Sequence, residues 1–366
     1  MFINFWYVAA TSADITDQPY NMQMLGQKFV LFRDSAGTAH CLSDICIHRG
    51  AGLSLGKVVN DCIECPYHGW QFDGTGTCTR IPSAGPAVRI PGRAKVDSYP
   101  VIERYGLVHV FLGDLPESER PAIMKITEWD RNDWRFSNSV VYDWAINYMR
   151  STENALDPAH AEFVHAPIFG NGGIDPDYVL PAMDLIDEDD RIGCSYKTPI
   201  DYGKDKDPAK EPEHVTAGTI AYGPSHYVTI LDMSTYMSIR QYSYVTPIDE
   251  RSERIFLLSG RNFNLEEKHD DEFDKVNWQV VEQDRQVLES VQPALNPASN
   301  KEEMLVEADG VIALYRQRLQ LWEEQGRRID THALAAQQAS GNQASAIPSP
   351  ARKDEKGWVI SPVPLR

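Results

Sequence analysis

Residues 46–70 read CIHRGAGLSLGKVVNDCIECPYHGW. A Cys-x-His pair, Cys46 and His48, stands sixteen residues ahead of a Cys-x-x-His pair, Cys65 and His68. Thiolates suit zinc and iron–sulfur centres, and imidazoles suit zinc, copper and iron. Two of each at this spacing point to a metal centre clamped between two loops.

The surrounding chain is long enough to support one. At 366 residues it allows two or three domains, since domains run roughly 100–200 residues. Hydrophobic residues at 42%, charged residues at 24% and aromatics at 10% are an ordinary globular composition. The net charge of -18 argues against nucleic-acid binding, because phosphate neutralisation needs basic surface. No basic segment precedes the apolar start MFINFWYVAA, so a signal peptide is not expected, and no run of 18 apolar residues suggests a membrane span. Six cysteines are few for this length, and a reducing cytoplasm fits them better than a disulfide framework.

Two readings of the Cys/His loops compete. A Cys2His2 zinc site is the plainer one. The other is a [2Fe–2S] cluster with both cysteines on one iron and both histidines on the other. Each loop supplies one Cys and one His, as such a cluster needs. Gly50 and Gly69 follow the histidines and let backbone approach, and Pro66 and Trp70 stiffen and shield the second loop. These details favour the cluster; Cys62, forming a CxxC with Cys65, leaves zinc open.

A second constellation lies in ENALDPAHAEFVH (153–165). Two histidines and a carboxylate on one segment invite a 2-His-1-carboxylate iron(II) site with positions open for O2. At helical spacing Asp157 and His160 lie about 60° apart, but His160 and His165 lie about 140° apart. Both can bind one metal only if the helix bends or breaks, and Pro158 and Pro167 predict an irregular helix. Two unrelated histidines, one exposed and one in the core, are the alternative.

A further carboxylate comes from periodicity. In DEFDKVNWQVVEQDRQVLESV (271–291) an apolar face runs through Phe273, Val280, Leu288 and Val291, and Asp284 sits in the middle of it. A polar group on a buried stripe costs roughly 2–7 kcal/mol unless something holds it. A metal would, as would a hydrogen bond from Arg or Tyr.

Along the chain, 1–112 reads as β-rich, with GQKFVLFRD (26–34) and YGLVHVFLGD (105–114) as strands. DLPESERP (114–121) marks a boundary. Residues 143–167 read as interrupted helix, 169–178 and 197–214 as loops, 215–263 as antiparallel strands, and 266–292 and 301–328 as helices. The low-complexity stretch 333–350 is expected to be poorly ordered, and no internal repeat is evident.

C-I-H-R-G followed by C-P-Y-H-G-W resembles the cluster motif of Rieske non-haem iron oxygenases. N-x-x-D-P-x-H-x-x-x-x-H, matched by Asn154, Asp157, Pro158, His160 and His165, resembles their catalytic motif, and E-Q-D-R at 282–285 resembles the segment carrying the third ligand. The resemblance covers essentially the whole chain, which looks like the α-only monooxygenase branch that includes vanillate and dicamba O-demethylases. It implies Cys46, His48, Cys65 and His68 as ligands of a Rieske [2Fe–2S] cluster, with Cys62 outside the set. It implies His160, His165 and Asp284 as ligands of mononuclear non-haem Fe(II), with Asn154 nearby. Asp157 would then not be a ligand but a bridge from His160 to a cluster histidine, His68, across a subunit boundary.

The expectations that follow are concrete. The fold class is α+β: a Rieske domain of antiparallel β-structure (1–115), a catalytic domain with an antiparallel, helix-grip-like sheet covered by helices (116–332), and a tail (333–366). The resemblance implies a homotrimer and O2 as co-substrate. It also implies NAD(P)H-derived electrons delivered by a ferredoxin and/or flavin reductase. The reaction would be hydroxylation or O-/N-dealkylation of a small, aromatic, organic substrate. Ring or alicyclic hydroxylation is the alternative within that family. A Rieske electron carrier, or a zinc-stabilised binding protein without catalysis, is the alternative outside it.

Overall fold

The computed structural model describes residues 1–137, 140–166, 178–199, 214–234, 236–297 and 299–366. The loops expected at 169–178 and 197–214 lie largely outside them. The chain packs as two compact units: Met1–Ile123 with Thr246–Glu250 and Leu321–Arg366, and Met124–Val245 with Arg251–Gln320. No helix among the described residues is long and apolar enough to cross a membrane.

Within the first unit, residues 1–123 hold eleven short strands: β1 (Phe5–Thr11), β2 (Tyr20–Met24), β3 (Gln27–Arg33), β4 (Ala39–Ser43), β5 (Lys57–Val59), β6 (Cys62–Glu64), β7 (Gln71–Phe72), β8 (Cys78–Arg80), β9 (Ser98–Tyr99), β10 (Val101–Arg104) and β11 (Leu107–Leu112). They form three antiparallel sheets, ordered β1-β11-β10, β2-β3-β4-β9 and β5-β6-β7-β8. β11 is buried at every position because it is the central strand of its sheet, which is why its sequence, LVHVFL, is nearly continuous in apolar residues. The Cys/His loops follow β4 and β6. Cys46 and Cys65 belong to a core with Val30, Phe32, Leu42, Leu53, Ile63 and Phe72. Cys62, on β6, is a small buried residue whose Sγ meets Thr79 Oγ1 at 3.5 Å.

The second unit is built on β12 (Arg135–Phe136), β13 (Val140–Trp144), β14 (Met183–Asp187), β15 (Arg191–Pro199), β16 (His214–Tyr222), β17 (His226–Asp232), β18 (Ser238–Pro247) and β19 (Glu253–Arg261). These make one eight-stranded sheet, β12-β19-β18-β17-β16-β15-β14, with β13 also paired to β19. Strands over 215–263 are as read from the sequence. The β14–β15 hairpin escaped that reading because its turn is the acidic run Glu188–Asp190. Helices α1 (Tyr148–Leu156), α2 (His160–Val164), α3 (Asp270–Leu288) and α4 (Gly310–Glu324) complete this part of the chain. The fold class is α+β with mainly antiparallel sheets, as expected.

Helix α1 is fixed by a buried ionic network. Glu153 accepts from Arg316 of α4 at 2.6 and 3.0 Å and from Asn296 Nδ2 at 2.5 Å, while Arg150 pairs with Glu303 at 2.8 Å. Burial raises the Glu153 carboxyl even against Arg316, so its partners are needed to keep it charged.

The stretch expected to be poorly ordered is not. Thr331–Ser340 forms α5, capped by Asp330, whose side chain accepts from Ala333 N, and by Gly341 at φ 64°. The alanines that lower its complexity are also the best helix formers. Beyond it, Ile347 is fully buried and its carbonyl accepts from Tyr99 OH at 2.7 Å. Asp97, 1% exposed, takes two bonds from Arg352 at 2.7 and 2.6 Å and one from Ser349 Oγ at 2.8 Å. Removing one partner of a buried ion pair strands the other, so Arg352→Ala is expected to cost about 3–5 kcal/mol. Urea unfolding checks this, and a loss within the range of ordinary surface changes would show that Asp97 does not need its cation.

Candidate metal centres

The two Cys/His loops are copies of one backbone design. Cys46 N donates to Ala51 O and Gly50 N to Cys46 O, both at 2.8 Å; Cys65 N donates to Trp70 O at 2.8 Å and Gly69 N to Cys65 O at 3.0 Å. Each loop thus curls around its cysteine and returns through a glycine of positive φ, 74° at Gly50 and 68° at Gly69. A Cβ on Gly50 would meet no protein atom within 4 Å, so the visible requirement is left-handed backbone rather than close approach.

The design sorts the donors. Both thiols face the core, and both imidazoles lie on the exposed side. The His48 and His68 rings stand 4.5 Å apart, and Trp70 stacks on His48 at 4.6 Å. Burial pushes the Cys46 thiol up to about 12, with Cys65 adding to the shift, so it would ionise readily only against a metal. All six cysteines are free. Two thiols inward and two imidazoles outward fit a Rieske [2Fe–2S] cluster.

The second constellation converges in the other unit. The ligand atoms of His160, His165 and Asp284 lie within 4.8 Å of one another. Asp284 Oδ1 is 3.6 Å from His160 Nε2 and 3.3 Å from His165 Nε2. Each ring presents Nε2 because its Nδ1 is committed: His160 Nδ1 to the carbonyl oxygen of Asp157 at 2.5 Å, His165 Nδ1 to Gln283 Oε1 at 2.9 Å. Asn154 Nδ2 donates to Asp284 Oδ1 at 3.1 Å. Burial opposes a charged His165, but Asp284 and Gln283 outweigh it and raise its pKa. Three converging donors of this kind fit one iron(II) with open positions.

The helix is irregular, as expected, and its break, at Pro158, precedes His160. Asp157 caps α1 in extended conformation, Pro158 interrupts the chain, and Asp157 Oδ1 accepts from Ala159 N at 2.7 Å. His160 therefore opens α2 and His165 closes it at φ -100°, ψ 18°, so both sit where a single helical turn ends. Burial raises the Asp157 carboxyl, with the Ala159 amide and His160 opposing.

The triad forms one wall of a cavity whose other walls include Tyr142, Trp144, Tyr227, Thr219 and Leu257. Burial raises the Tyr142 and Tyr227 phenols, so both are neutral donors at ordinary pH. Tyr227 lines this cavity, Met233 and Ile239 line an adjoining one, and Phe256 is plain core; Ile230 lines neither. Gln283 was missed, although it neighbours Asp284. Behind Ser151, Glu253 is fully buried and accepts from Ser151 Oγ at 2.8 Å.

Comparison with known proteins agrees with this geometry. Residues 5–100 match the family described as Rieske [2Fe-2S] domain, and 144–325 match the Vanillate O-demethylase oxygenase C-terminal domain. The vanillate O-demethylase oxygenase subunit of Pseudomonas sp. (strain HR199 / DSM 7063) is 36% identical over 47% of this chain and 47% of its own length. Most of the curated relatives are, like it, matched over about half of their length or less. The dicamba O-demethylase oxygenase component of Stenotrophomonas maltophilia is 29% identical over 84% of this chain and 91% of its own. Among solved structures, dicamba monooxygenase bound to dicamba superposes with TM-score 0.70 at 25% identity, covering 89% of this chain and 98% of that one. Pseudomonas putida CBB5 NdmA with caffeine gives 0.72 at 26%, covering 87% and 90%.

Two outcomes are expected. Gln283→Leu frees the His165 ring and should weaken iron binding about 10–100-fold in chelator competition; unchanged affinity would remove Gln283 from the centre. Burial pushes the Glu253 carboxyl from its ordinary 4.5 up to about 8, Ser151 opposing. The fold prefers the protonated acid, so stability falls as pH rises from 4.5 to about 8 and stays reduced above. Glu253→Gln should flatten that fall and exceed the parent's melting temperature above it; a calorimetric pH series with parallel curves would count against this.

Proposed function

The chain belongs to the Rieske oxygenases of the vanillate O-demethylase type, and on that footing we propose that it is the oxygenase component of a multicomponent monooxygenase. Its substrate is a small aromatic compound carrying an O- or N-alkyl group, which it dealkylates. Overall, a methyl ether, O2, NAD(P)H and a proton give the free hydroxyl compound, formaldehyde, water and NAD(P)+.

What supports this reading most is the convergence of His160, His165 and Asp284 at the wall of a cavity. When bound, the [2Fe–2S] cluster supplies single electrons and the mononuclear iron supplies O2 activation. The protein's part is positioning. Cys46, His48, Cys65 and His68 would hold the cluster, and His160, His165 and Asp284 the iron. Gln283 and the Asp157 carbonyl keep both imidazoles in the ligating tautomer, and Asn154 steadies the carboxylate. Tyr142, Trp144, Tyr227 and Leu257 shape the chamber and keep the substrate's alkyl group out of water.

The electron donor in this reading is a ferredoxin and/or flavin reductase. The assembly is a head-to-tail homotrimer in which Asp157 of one protomer meets His68 of the next. Six free cysteines accord with a cytoplasmic setting.

Iron and sulfide analysis with product assay tests the proposal. About three irons and two acid-labile sulfides per chain are expected, with formaldehyde released in NADH-dependent turnover of methoxy-aromatic and N-methyl compounds. Asp157→Asn keeps the Oδ1 acceptor for Ala159 N, so it should retain both metals yet lose coupled turnover. Zinc without sulfide would leave a binding protein; hydroxylated product without formaldehyde would move the reaction to ring or alicyclic hydroxylation.

A further inference from the structure

A second cavity adjoins the first, with Leu231 and Gln241 lining both. Its remaining walls combine Met233, Ile239, Phe263, Phe273 and Val276 with five polar residues, of which two are buried: Arg261 and Asn277. Both are more than nine-tenths buried, at 1% and 7% exposure.

Each of the two ends in a donor without an acceptor. Arg261 Nε and Nη2 donate to Asn264 O at 3.2 and 3.0 Å, and Nη2 also reaches Asp270 Oδ1 at 2.7 Å. Arg261 Nη1 has no hydrogen-bond partner. Asp270 is shared, since Arg135 binds it at 2.8 and 2.5 Å, so two guanidiniums divide one carboxylate. Asn277 Oδ1 accepts from Gln241 Nε2 at 3.0 Å, which fixes the amide and leaves Nδ2 unpartnered. The other titratable groups of the wall are His269 and Glu272, the latter exposed to solvent. Two unmatched donors on buried side chains lining one cavity suit an anionic acceptor.

Helix α3 sets the distance. Asn277 and Asp284 are seven residues apart, which is about 10.5 Å along the axis and about 20° around it. One helical face therefore presents a metal-site carboxylate at one end and an unpaired amide two turns away.

We propose that this second cavity is a carboxylate-anchoring subsite. The oxidisable end of the substrate lies against His160, His165 and Asp284, and a carboxylate at its far end accepts from Arg261 Nη1 and Asn277 Nδ2. The inference rests on the first cavity being the substrate chamber. Phe273, whose ring stacks on the guanidinium at 4.8 Å, is the side chain that turns to admit the carboxylate to Nη1.

The test is calorimetric titration of the oxidised holoenzyme, without reductant, by 4-methoxycinnamate and its uncharged amide. In this pair a ring and a vinyl group separate the ether methyl from the anionic end. The acid is expected to bind at least about ten-fold tighter than the amide. Asn277→Asp supplies the missing acceptor from within, so the preference should vanish and the melting temperature rise. Asn277→Ala removes the donor without adding charge and should cut the preference several-fold; it also serves should Asn277→Asp fold poorly. Equal affinity for acid and amide, no saturable binding of the acid, or a preference surviving both substitutions would overturn the subsite. Asn277-dependent binding of the acid without formaldehyde under turnover would instead keep the subsite and sink the dealkylation reading.

Discussion

A single hydrogen bond, from His160 Nδ1 to the carbonyl oxygen of Asp157, joins the end of one helix to the first residue of the next. That carbonyl is free to accept it because α1 has just ended, and α1 ends because Pro158 offers no backbone donor to continue it. The break thus creates the acceptor that orients the ring. Everything upstream serves to hold α1 still. Its Glu153 is buried against Arg316, and its Asn154 reaches Asp284 on α3. The convergence of the three candidate ligands is therefore set in part by where a helix stops.

The other centre solves a different problem. A cluster that passes electrons needs its sulfur side dry and its histidine side accessible. Twin loops achieve this with identical backbone bonds, each placing one cysteine in the core and one histidine outside. The thiols serve as packing residues beside Leu53 and Ile63 until a metal takes their protons. The backbone bonds and the glycine dihedrals together define the conformation of each loop.

Much of this was legible in the residues alone. Donor types and spacing pointed to both constellations, whose members the structure brings together, and Asp284 emerged because a carboxylate on an apolar stripe is expensive. Asn277 lies on that same stripe, one of three buried positions on α3 with Val281 and Leu288, and was passed over. A neutral amide on a helix face is common, so only the fixed Gln241 contact and the unpaired Nδ2 distinguish it. Gln283 was hidden for a related reason: its role depends on a cross-element contact with His165 that periodicity cannot supply. The break before His160 falls at Pro158, one of the two prolines that predicted an irregular helix, although a proline does not say which side the ligands occupy. Helix α5 was misread because an alanine-rich segment looks equally like low complexity and like a good helix.

The first compact unit is assembled from both ends of the chain, since Leu321–Arg366 packs with Met1–Ile123. During synthesis Asp97 leaves the ribosome long before Arg352, and at roughly 5–20 residues per second the delay is on the order of tens of seconds. Throughout that interval the nascent unit holds an acidic group with no cation to bury it beside. A fragment cut after β11 would lack Arg352 and leave Asp97 without that partner permanently.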